Sequence, residues 1–353
     1  MRAIPAESGQ HEPLLHRLPL ITLYLSERCN SRCITCDYWR HGRADLNLTA
    51  VQRLLPSLAR LQTEVVLISG GEPLLNPEWV QIAELLRAQG LRLLLLTSGL
   101  SLAKHARRVS ELFDAVTVSL DGTQAGTYAT IRGLDAFEKV CEGIKSASGA
   151  GVRVDIRVTV QRANYREMPA FIPLARELGV HQVSFLAVDV ANPHAFGRVN
   201  DFAAELALQP DDLPVLERIL DQLEHEHEEA FRCGLIAESP LKLRRLLQYF
   251  CAIHGLGAHP PVRCNAPEFS AVIDANGQVR PCFFIPGPDG AVVADGDLEA
   301  VLNAKMMVGL RQNIRGGARP ECSTCVCSMW RDLHRGDMLL PAARSIGNAA
   351  GRT

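Results

Sequence analysis

The sequence lacks an excess of charge of either sign, because 37 Lys and Arg residues stand against 39 Asp and Glu residues. Without a basic excess, no nucleic-acid partner is expected. No stretch approaches the roughly 18 consecutive apolar residues of a membrane-spanning helix, so no membrane partner is expected either. The first 20 residues contain acidic side chains and no apolar core of signal-peptide length, which predicts a cytoplasmic protein.

Cysteine, by contrast, is abundant, with 11 residues in a chain of 353. Disulfide frameworks are typical of short secreted chains, and this chain is neither short nor visibly secreted. Eight of the cysteines fall in short-spaced groups or turn-rich segments near the two ends of the sequence. Metal or cluster ligation explains this grouping better than apolar packing, which would scatter them. For the three isolated cysteines, Cys141, Cys233 and Cys251, core packing is the preferred interpretation, and a hydrogen-atom donor or a ligand is the alternative for Cys233 and Cys251.

Short apolar runs alternate with helical patterns between residues 20 and 187. Several runs, such as VVLIS and LRLLLLT, are almost continuously apolar, as in strands buried on both faces of a parallel sheet. The predicted strands are Leu20–Ser26, Glu64–Ser69, Leu91–Thr97, Ala115–Leu120, Val152–Val160 and Gln182–Ala187. The predicted helices between them are Thr49–Leu61, Pro77–Gln89, Leu102–Leu112, Ala136–Ser148 and Arg166–Leu178. This alternation predicts an α/β fold, a parallel sheet or partial barrel, with its chemistry at the C-terminal strand ends.

The remainder of the chain has a different pattern. Helices are expected at Asp211–Phe231, Pro240–Tyr249 and Leu298–Gln312, and a hairpin is expected around Asn276–Gly277, between Phe269–Asp274 and Gln278–Phe284. The predicted domain boundaries are an N-terminal extension (1–19), a core (20–187), a helical insert that shapes the pocket (188–262), a C-terminal cysteine domain (263–335) and a poorly ordered tail (336–353).

The first cysteine group is a C-x3-C-x2-C loop directly after the first predicted strand. Three thiolates at this spacing, Cys29, Cys33 and Cys36, can hold an iron–sulfur cube and leave one iron without a protein ligand. An open iron can bind a small chelating molecule, as the open position of a catalytic zinc does. A structural zinc site with His41 as its fourth ligand is the alternative.

Four further motifs follow the second, third and fourth predicted strands, the last two of them both after the fourth. They are Ser69-Gly70-Gly71-Glu72-Pro73, Thr97-Ser98-Gly99, Ser119-Leu120-Asp121-Gly122 and Ile131-Arg132-Gly133. In this order, downstream of the cysteine loop, they closely resemble the radical S-adenosylmethionine (radical SAM) superfamily. Thr35 departs from the pattern, since many relatives carry an aromatic residue there, but no change of class is expected.

The resemblance implies a partial (β/α)6 TIM-like barrel and a four-iron cluster whose open iron takes the amino and carboxylate groups of S-adenosylmethionine. Glu72 would suit the methionine ammonium, Arg157 and Thr159 the carboxylate or ribose, and the end of the sixth strand the adenine. The residues expected at this cofactor are Gly70, Gly71, Glu72, Pro73, Ser98, Ser119, Asp121, Arg157, Phe185 and Leu186.

The second cysteine group comprises Cys264, Cys282, Cys322, Cys325 and Cys327. It resembles the superfamily's C-terminal auxiliary-cluster domains, called SPASM or, when shortened to one cluster, "twitch". This implies a small hairpin-plus-helix domain with one auxiliary four-iron cluster, held by Cys264, Cys282, Cys322 and Cys325. Cys327 could replace Cys325 or be a free thiol, and a four-cysteine zinc knuckle is the alternative.

The implied activity is reductive cleavage of S-adenosylmethionine to a 5′-deoxyadenosyl radical, which abstracts hydrogen from a small biosynthetic intermediate. An auxiliary cluster would make the net reaction an oxidation, and a flavodoxin- or ferredoxin-type protein would be the reductant. Only 28 residues precede Cys29, which favours a small molecule, or a peptide presented by a separate protein. The alternatives are a peptide maturase that installs a cross-link or thioether, and a non-catalytic iron–sulfur electron carrier.

No catalytic residue is assigned from the sequence. The insert offers polar candidates for the pocket, namely Asp189, His194, Glu224, His225 and His227. The run HEHEE is interpreted as a solvated helix face rather than a proton relay.

Overall fold

The computed structural model describes residues 14–40, 42–192, 195–197, 203–294 and 296–332. His41, His194, most of the predicted N-terminal extension and the predicted tail lie outside the described residues. No helix in the described ranges is long and apolar enough to cross a membrane.

One eight-stranded sheet organises the described part of the chain, in the order β6-β5-β4-β3-β2-β1-β7-β8. The strands are β1 Leu20–Ser26, β2 Val65–Gly70, β3 Arg92–Thr97, β4 Ala115–Ser119, β5 Arg153–Val160, β6 Gln182–Ala187, β7 Ser270–Ile273 and β8 Val279–Arg280. All neighbours are parallel except β7 and β8, which form an antiparallel hairpin. The sheet is open at β6 and β8, which confirms the α/β, partial-barrel prediction.

Helices connect the strands and extend beyond them. They are α1 Leu48–Arg60, α2 Trp79–Ala88, α3 Leu102–Leu112, α4 Ala125–Arg132, α5 Phe137–Gly149, α6 Phe171–Glu177, α7 Ala203–Leu206, α8 Leu213–Glu226, α9 Glu228–Arg232, α10 Pro240–Ile253, α11 Ala266–Phe269, α12 Leu298–Asn303, α13 Lys305–Arg315 and α14 Pro320–Ser323. Short 3-10 helices lie at Tyr38–Arg40, Pro73–Leu75, Tyr165–Ala170, Ala195–Gly197 and Pro210–Asp212.

The sheet has an apolar face and a more polar one. On β5, Val154, Ile156, Val158 and Val160 are fully buried, and the residues between them are partly or fully exposed. The apolar face packs against helices, as the rings of Phe185 on β6 and Phe171 on α6 show with centroids 6.0 Å apart. The parallel register aligns Ser119, Arg157 and Ser184 on the other face, which we call the inner face.

Several predicted elements differ from the structure. The helix expected at 211–231 breaks at His227, whose φ of −123° is not helical, and the one expected at 298–312 breaks at Ala304, whose ψ is 145°. The helix expected at 166–178 begins as the 3-10 helix. The first two residues of β7 lie beside Leu20 and Ile21, so the predicted hairpin continues the main sheet. Core packing is confirmed for Cys141 and wrong for Cys233, which is exposed; Cys251 is half-buried.

Candidate active site

The loop with Cys29, Cys33 and Cys36 follows β1 and is fixed by backbone contacts with the end of α4. The N–H groups of Arg32 and Ile34 donate to the carbonyls of Arg132 and Ile131, each at 3.0 Å. A Cβ atom on Gly133 would lie 2.3 Å from the Arg32 carbonyl oxygen. The Ile131-Arg132-Gly133 motif therefore serves to hold the cysteine loop, because only glycine permits this approach.

The glycine-rich motif after β2 contacts the same loop from another side. Gly71 N–H donates to the Ser26 carbonyl and Glu72 N–H donates to the Arg28 carbonyl, both at 2.7 Å. A Cβ on Gly71 would lie 2.4 Å from the Arg28 carbonyl oxygen. The close approach that these glycines allow in this structure is therefore between the motif and the cysteine loop.

The Glu72 carboxylate is fully buried and points to the end of β3. It accepts hydrogen bonds from Leu74 N–H at 3.1 Å, Thr97 Oγ1 at 2.9 and 3.0 Å, Ser98 N–H at 2.8 Å and Ser98 Oγ at 2.7 Å. The sequence reasoning gave this carboxylate to a methionine ammonium. In the structure it bridges the ends of β2 and β3, and its contact with the methionine ammonium stays a prediction.

Asp121, one residue beyond Leu120 after β4, is also engaged inside the protein. Its Oδ1 accepts from Thr159 N–H at 2.7 Å, and its Oδ2 lies 3.1 Å from Arg132 Nη1. Burial raises the pKa of Asp121, while Arg132 and the Thr159 N–H act in the opposite direction. Arg132 is thus a buried cation beside the cysteine loop. It belongs to the Ile131-Arg132-Gly133 motif but is not among the site residues expected from the sequence.

The other expected cofactor residues divide between the two faces of the sheet. Ser119 and Arg157 lie side by side on the inner face, and Leu186 shares this face through its pairing with Thr159. Phe185 points to the opposite face, where its ring packs against Phe171. The expectation is therefore corrected for the Phe185 side chain, because successive residues of a strand alternate between faces. Pro73 and Ser98 are buried beside Glu72.

Burial dominates the electrostatics of the first cysteine group. It raises the pKa of Cys29 to about 11 and that of Cys36 to about 12, and it raises the pKa of Cys33 as well. The Arg132 guanidinium opposes this rise at all three thiols. A coordinating thiol is deprotonated by its metal, so the metal-free loop holds its thiols protonated until a cluster binds.

Polar groups around the loop are compatible with an iron–sulfur cluster. Two polar atoms around the loop, Ser31 Oγ and Arg132 Nε, are buried without a hydrogen-bond partner. Hydrogen-bond donors around the sulfurs are a usual feature of iron–sulfur sites.

The second cysteine group lines one pocket. All five of its cysteines border the pocket. The walls between them are mostly apolar, with Phe284, Ile285, Ile314 and Met329 among the lining residues. Burial raises the pKa of Cys282 to about 12 and also raises the pKa of Cys322, Cys325 and Cys327. Five thiols around one apolar pocket are a donor set that fits an iron–sulfur cluster.

Direct contacts tie this pocket to the cysteine loop. The ring centroid of Tyr24 on β1 lies 5.9 Å from that of Tyr38 and 6.3 Å from that of Phe283, which is next to Cys282. Arg280 Nη1 lies 3.3 Å from Tyr38 Oη, and Asn276 Nδ2 donates to Glu27 Oε1 at 2.6 Å. The two cysteine sites are therefore held at a fixed separation.

Of the polar candidates in the insert, Asp189 lies near the second pocket. It is buried, and its charge is among the causes that raise the pKa of Cys325 and Cys327. Glu224 pairs with Arg244, and His225 Nδ1 lies 2.8 Å from the Asp221 carbonyl oxygen on the exposed side of α8. His227 follows the last residue of α8. The HEHEE run of residues 225–229 lies on a largely exposed surface, as predicted.

Sequence reasoning missed Glu238, a buried carboxylate that accepts from Ser184 Oγ at 2.8 Å and from Phe185 N–H at 3.0 Å. It fixes the end of β6 from the insert. A single Glu in a polar segment carries no signal that would have indicated this.

A family model described as the radical SAM superfamily matches residues 23–175. This part of the chain is a radical SAM domain. Members of the superfamily use a four-iron cluster and S-adenosylmethionine, and these are therefore the cofactors of the cysteine loop. The zinc alternative for the loop and the electron-carrier alternative are set aside.

Curated relatives share up to about a third of their residues with this chain in the aligned segments. Fe-coproporphyrin III synthase of Methanosarcina barkeri is 27% identical over 219 residues, 60% of this chain and 53% of the relative. Pre-heme d1 synthase of Dinoroseobacter shibae is 32% identical over 168 residues, which are 46% of this chain and 41% of the relative. A probable GTP 3′,8-cyclase of Saccharolobus islandicus is 28% identical over 272 residues, which are 75% of this chain and 82% of the relative. The chain thus spans about half the length of the first two.

Solved structures show the same fold at low identity. Streptococcus suis SuiB bound to its precursor peptide SuiA matches with a TM-score of 0.63 and 14% identity, over 90% of this chain and 73% of that one. Native anSMEcpe with bound AdoMet and a peptide matches with a TM-score of 0.59 and 20% identity, over 82% of this chain and 81% of that one.

Proposed function

We propose that this radical SAM enzyme oxidises a small molecule and that its C-terminal cysteines hold one auxiliary four-iron cluster. The observation that carries the proposal is the pocket lined by five cysteines and joined to the first cysteine site by Tyr24, Tyr38 and Phe283. A radical SAM enzyme needs one cluster to cleave its cofactor. A second site with only protein ligands has no open position, so electron uptake is the role that its chemistry suits.

The proposed ligands of the first cluster are Cys29, Cys33 and Cys36. Those of the auxiliary cluster are Cys264, Cys282, Cys322 and Cys325, with Cys327 as the alternative to Cys325. Cys325 Sγ lies 3.4 Å from the Cys327 carbonyl oxygen, so both thiols belong to one tight turn.

The bound cluster and S-adenosylmethionine supply a carbon-centred radical that abstracts hydrogen. The chain positions these groups. We propose that S-adenosylmethionine contacts the backbone of Gly70–Pro73 and the side chains of Ser98, Ser119, Arg157 and Leu186, with only the backbone of Phe185 available for adenine. Glu72 and Asp121 would act by holding the strand ends.

An anionic small substrate is proposed because Arg157 is an exposed cation on the inner face of the sheet. Arg157 and Lys242 both act against the burial-raised pKa of Cys327, whereas Asp189 raises it, and Lys242 Nζ lies 3.9 Å from Glu238 Oε1. The three curated relatives above carry names from porphyrin, haem and GTP chemistry. A peptide presented by a separate protein is the alternative, favoured by the fold likeness to SuiB with its bound precursor peptide.

Anaerobic reconstitution with iron and sulfide counting tests the auxiliary cluster. We expect about eight irons in the wild type and about four in Cys29→Ala/Cys33→Ala/Cys36→Ala or in Cys282→Ala/Cys322→Ala. Cys233→Ala, which removes an exposed thiol, is the matched control and should keep all of them. About four irons in the wild type, none of them lost with Cys282 and Cys322, would remove the auxiliary cluster and the oxidative mechanism.

Formation of 5′-deoxyadenosine under dithionite tests the substrate class. Anionic tetrapyrroles and nucleotides, matched neutral esters of the tetrapyrroles, and synthetic precursor peptides would be compared on the loaded wild type. Faster nucleoside formation with an anionic small molecule, lost in Lys242→Gln, is the expected result. If only a peptide speeds up nucleoside formation, the maturase alternative replaces the proposal of a small-molecule substrate. Reduction by a flavodoxin- or ferredoxin-type protein stays a prediction.

A further inference from the structure

Arg132 is a buried cation that the activity described above does not use. It is 8% exposed and ends α4, where its backbone carbonyl holds the cysteine loop at Arg32. Its guanidinium pairs with Asp121 at 3.1 Å. Burying a cation is unfavourable unless nearby anions compensate for the lost hydration.

Asp121 supplies only part of that compensation. One of its carboxylate oxygens accepts from Thr159 N–H, and the other faces Arg132. Arg132 Nε is buried and has no hydrogen-bond partner, and Tyr128 Oη, one turn earlier on α4, is also buried. Burial raises the pKa of Tyr128, and the Arg132 guanidinium opposes that rise through its charge and a hydrogen bond. Arg132 Nε is therefore the buried donor that lacks an acceptor at this helix end.

Other cations near the loop are engaged elsewhere or face solvent. Arg28 is paired with Asp45, and Arg32 is exposed. Burial raises the pKa of all three thiols of the loop, and the charge of Arg132 opposes that rise at each of them. A cluster with three thiolate ligands is anionic and accepts a further electron when it is reduced, so a fixed cation beside it favours the reduced state.

We infer that Arg132, held by Asp121 and assisted by the Tyr128 hydroxyl, is the residue that sets the reduction potential of the first cluster. The inference concerns the cluster that the superfamily assigns to this loop and does not depend on the auxiliary cluster or on the substrate. Arg132 acts here as a tuning residue: its charge stays fixed while one electron enters the cluster.

An EPR-monitored redox titration without S-adenosylmethionine tests this inference. The signal of the first cluster is identified by its absence in Cys29→Ala/Cys33→Ala/Cys36→Ala. We expect Arg132→Gln to disfavour reduction at least tenfold, a fall of about 59 mV for a one-electron couple. Arg132→Lys, which keeps the charge, should restore most of the potential, and Tyr128→Phe should lower it by less than Arg132→Gln does.

Arg107→Gln is the matched control, because it removes one positive charge from an exposed position on α3 and should leave the potential unchanged. An unchanged potential in Arg132→Gln, or an equal fall in Arg132→Lys and Arg132→Gln, would overturn the inference, since loss of charge would then not be the cause. If Arg132→Gln fails to retain iron, Tyr128→Phe decides. A lowered potential in that variant supports the inference, and the wild-type value refutes it.

Discussion

Glu72 gives the sharpest test of how the strand-end motifs work. Its side chain could bind the methionine ammonium, as its motif suggests, or hold the ends of β2 and β3 together, as its hydrogen bonds indicate. Glu72→Gln separates the two roles, because it keeps the size of the side chain and removes its charge. A binding role predicts weaker cofactor affinity with unchanged stability, and a structural role predicts loss of stability in the metal-free chain.

The size of that loss follows from the contacts. One carboxylate oxygen accepts from the Leu74 backbone N–H and the other from the Ser98 backbone N–H. In either amide orientation, the new NH2 group faces one of these N–H donors, which cannot turn away. The variant thus loses a charge-assisted hydrogen bond and leaves a buried donor unpaired, at a cost of about 2–5 kcal/mol. The hydroxyls of Thr97 and Ser98 can rotate and add little.

Urea unfolding of the metal-free chain measures this loss as a lower midpoint at unchanged slope. The control is Glu84→Gln, which breaks an exposed ion pair with Arg108 and should cost less than about 1 kcal/mol. Isothermal titration of the loaded protein with S-adenosylmethionine measures the other role. A Glu72→Gln chain as stable as wild type but with weakened cofactor binding would refute the structural reasoning.

Further predictions concern the cysteine loop and the thiols. Gly133→Ala should destabilise the chain and reduce iron retention, because Gly133 has a φ of 72° and its added Cβ would meet the Arg32 carbonyl. The control is Gly126→Ala on the same helix, which should be neutral or stabilising because its added Cβ enters open space. Thermal unfolding and iron counts measure both effects. Burial raises the pKa of Cys36 and Cys282 from 9.0 to about 12, so these thiols are protonated in the folded metal-free chain at a pH where the unfolded chain is already ionised. The metal-free chain should therefore keep full stability below about pH 8 and lose stability progressively above about pH 9. The cluster-loaded chain should not show this loss. Melting curves recorded across that pH range measure the difference. Equal pH dependence in the two forms would contradict the assignment of these thiols as ligands.

The core of the fold could be predicted because its strands are locally unambiguous. LITLYLS and QVSFLA are apolar runs bounded by polar segments, and β1 and β6 begin and end at the predicted residues. Their burial on the helix-packed face and their parallel pairing both follow from that composition.

The missed elements carry weak local signals. α4, AGTYATIR, contains Gly126 and four β-branched or aromatic residues of lower helix propensity, so no helical pattern stands out. It ends where it does because Gly133 adopts a left-handed conformation against the cysteine loop, which is a tertiary constraint. The pairing of β7 with β1 is likewise a contact between residues about 250 positions apart, and no periodicity encodes it.

The candidate site could be located from the sequence, but several roles could not. Cysteine spacing indicated both sites, since short-spaced thiols outside a short disulfide-rich chain are typically metal or cluster ligands. Roles within the motifs depended on side-chain direction. Phe185 and Leu186 are adjacent in sequence and lie on opposite faces of β6, and Glu72 points to β3. Directions of this kind become visible only when the neighbouring strands are in place.

The motifs form a connected set of contacts around the cysteine loop, and this has a consequence for cluster binding. Gly71 and Glu72 hold the start of the loop, Ser98 Oγ lies 3.1 Å from Asn30 Oδ1, and Arg132 holds the loop at Arg32. Each motif thus fixes the loop in addition to any contact it makes with a cofactor. Contacts that fix the cysteine backbone reduce the conformational entropy lost when the thiols bind a cluster. A substitution in any of these motifs should therefore weaken cluster retention even where its side chain touches no cofactor atom.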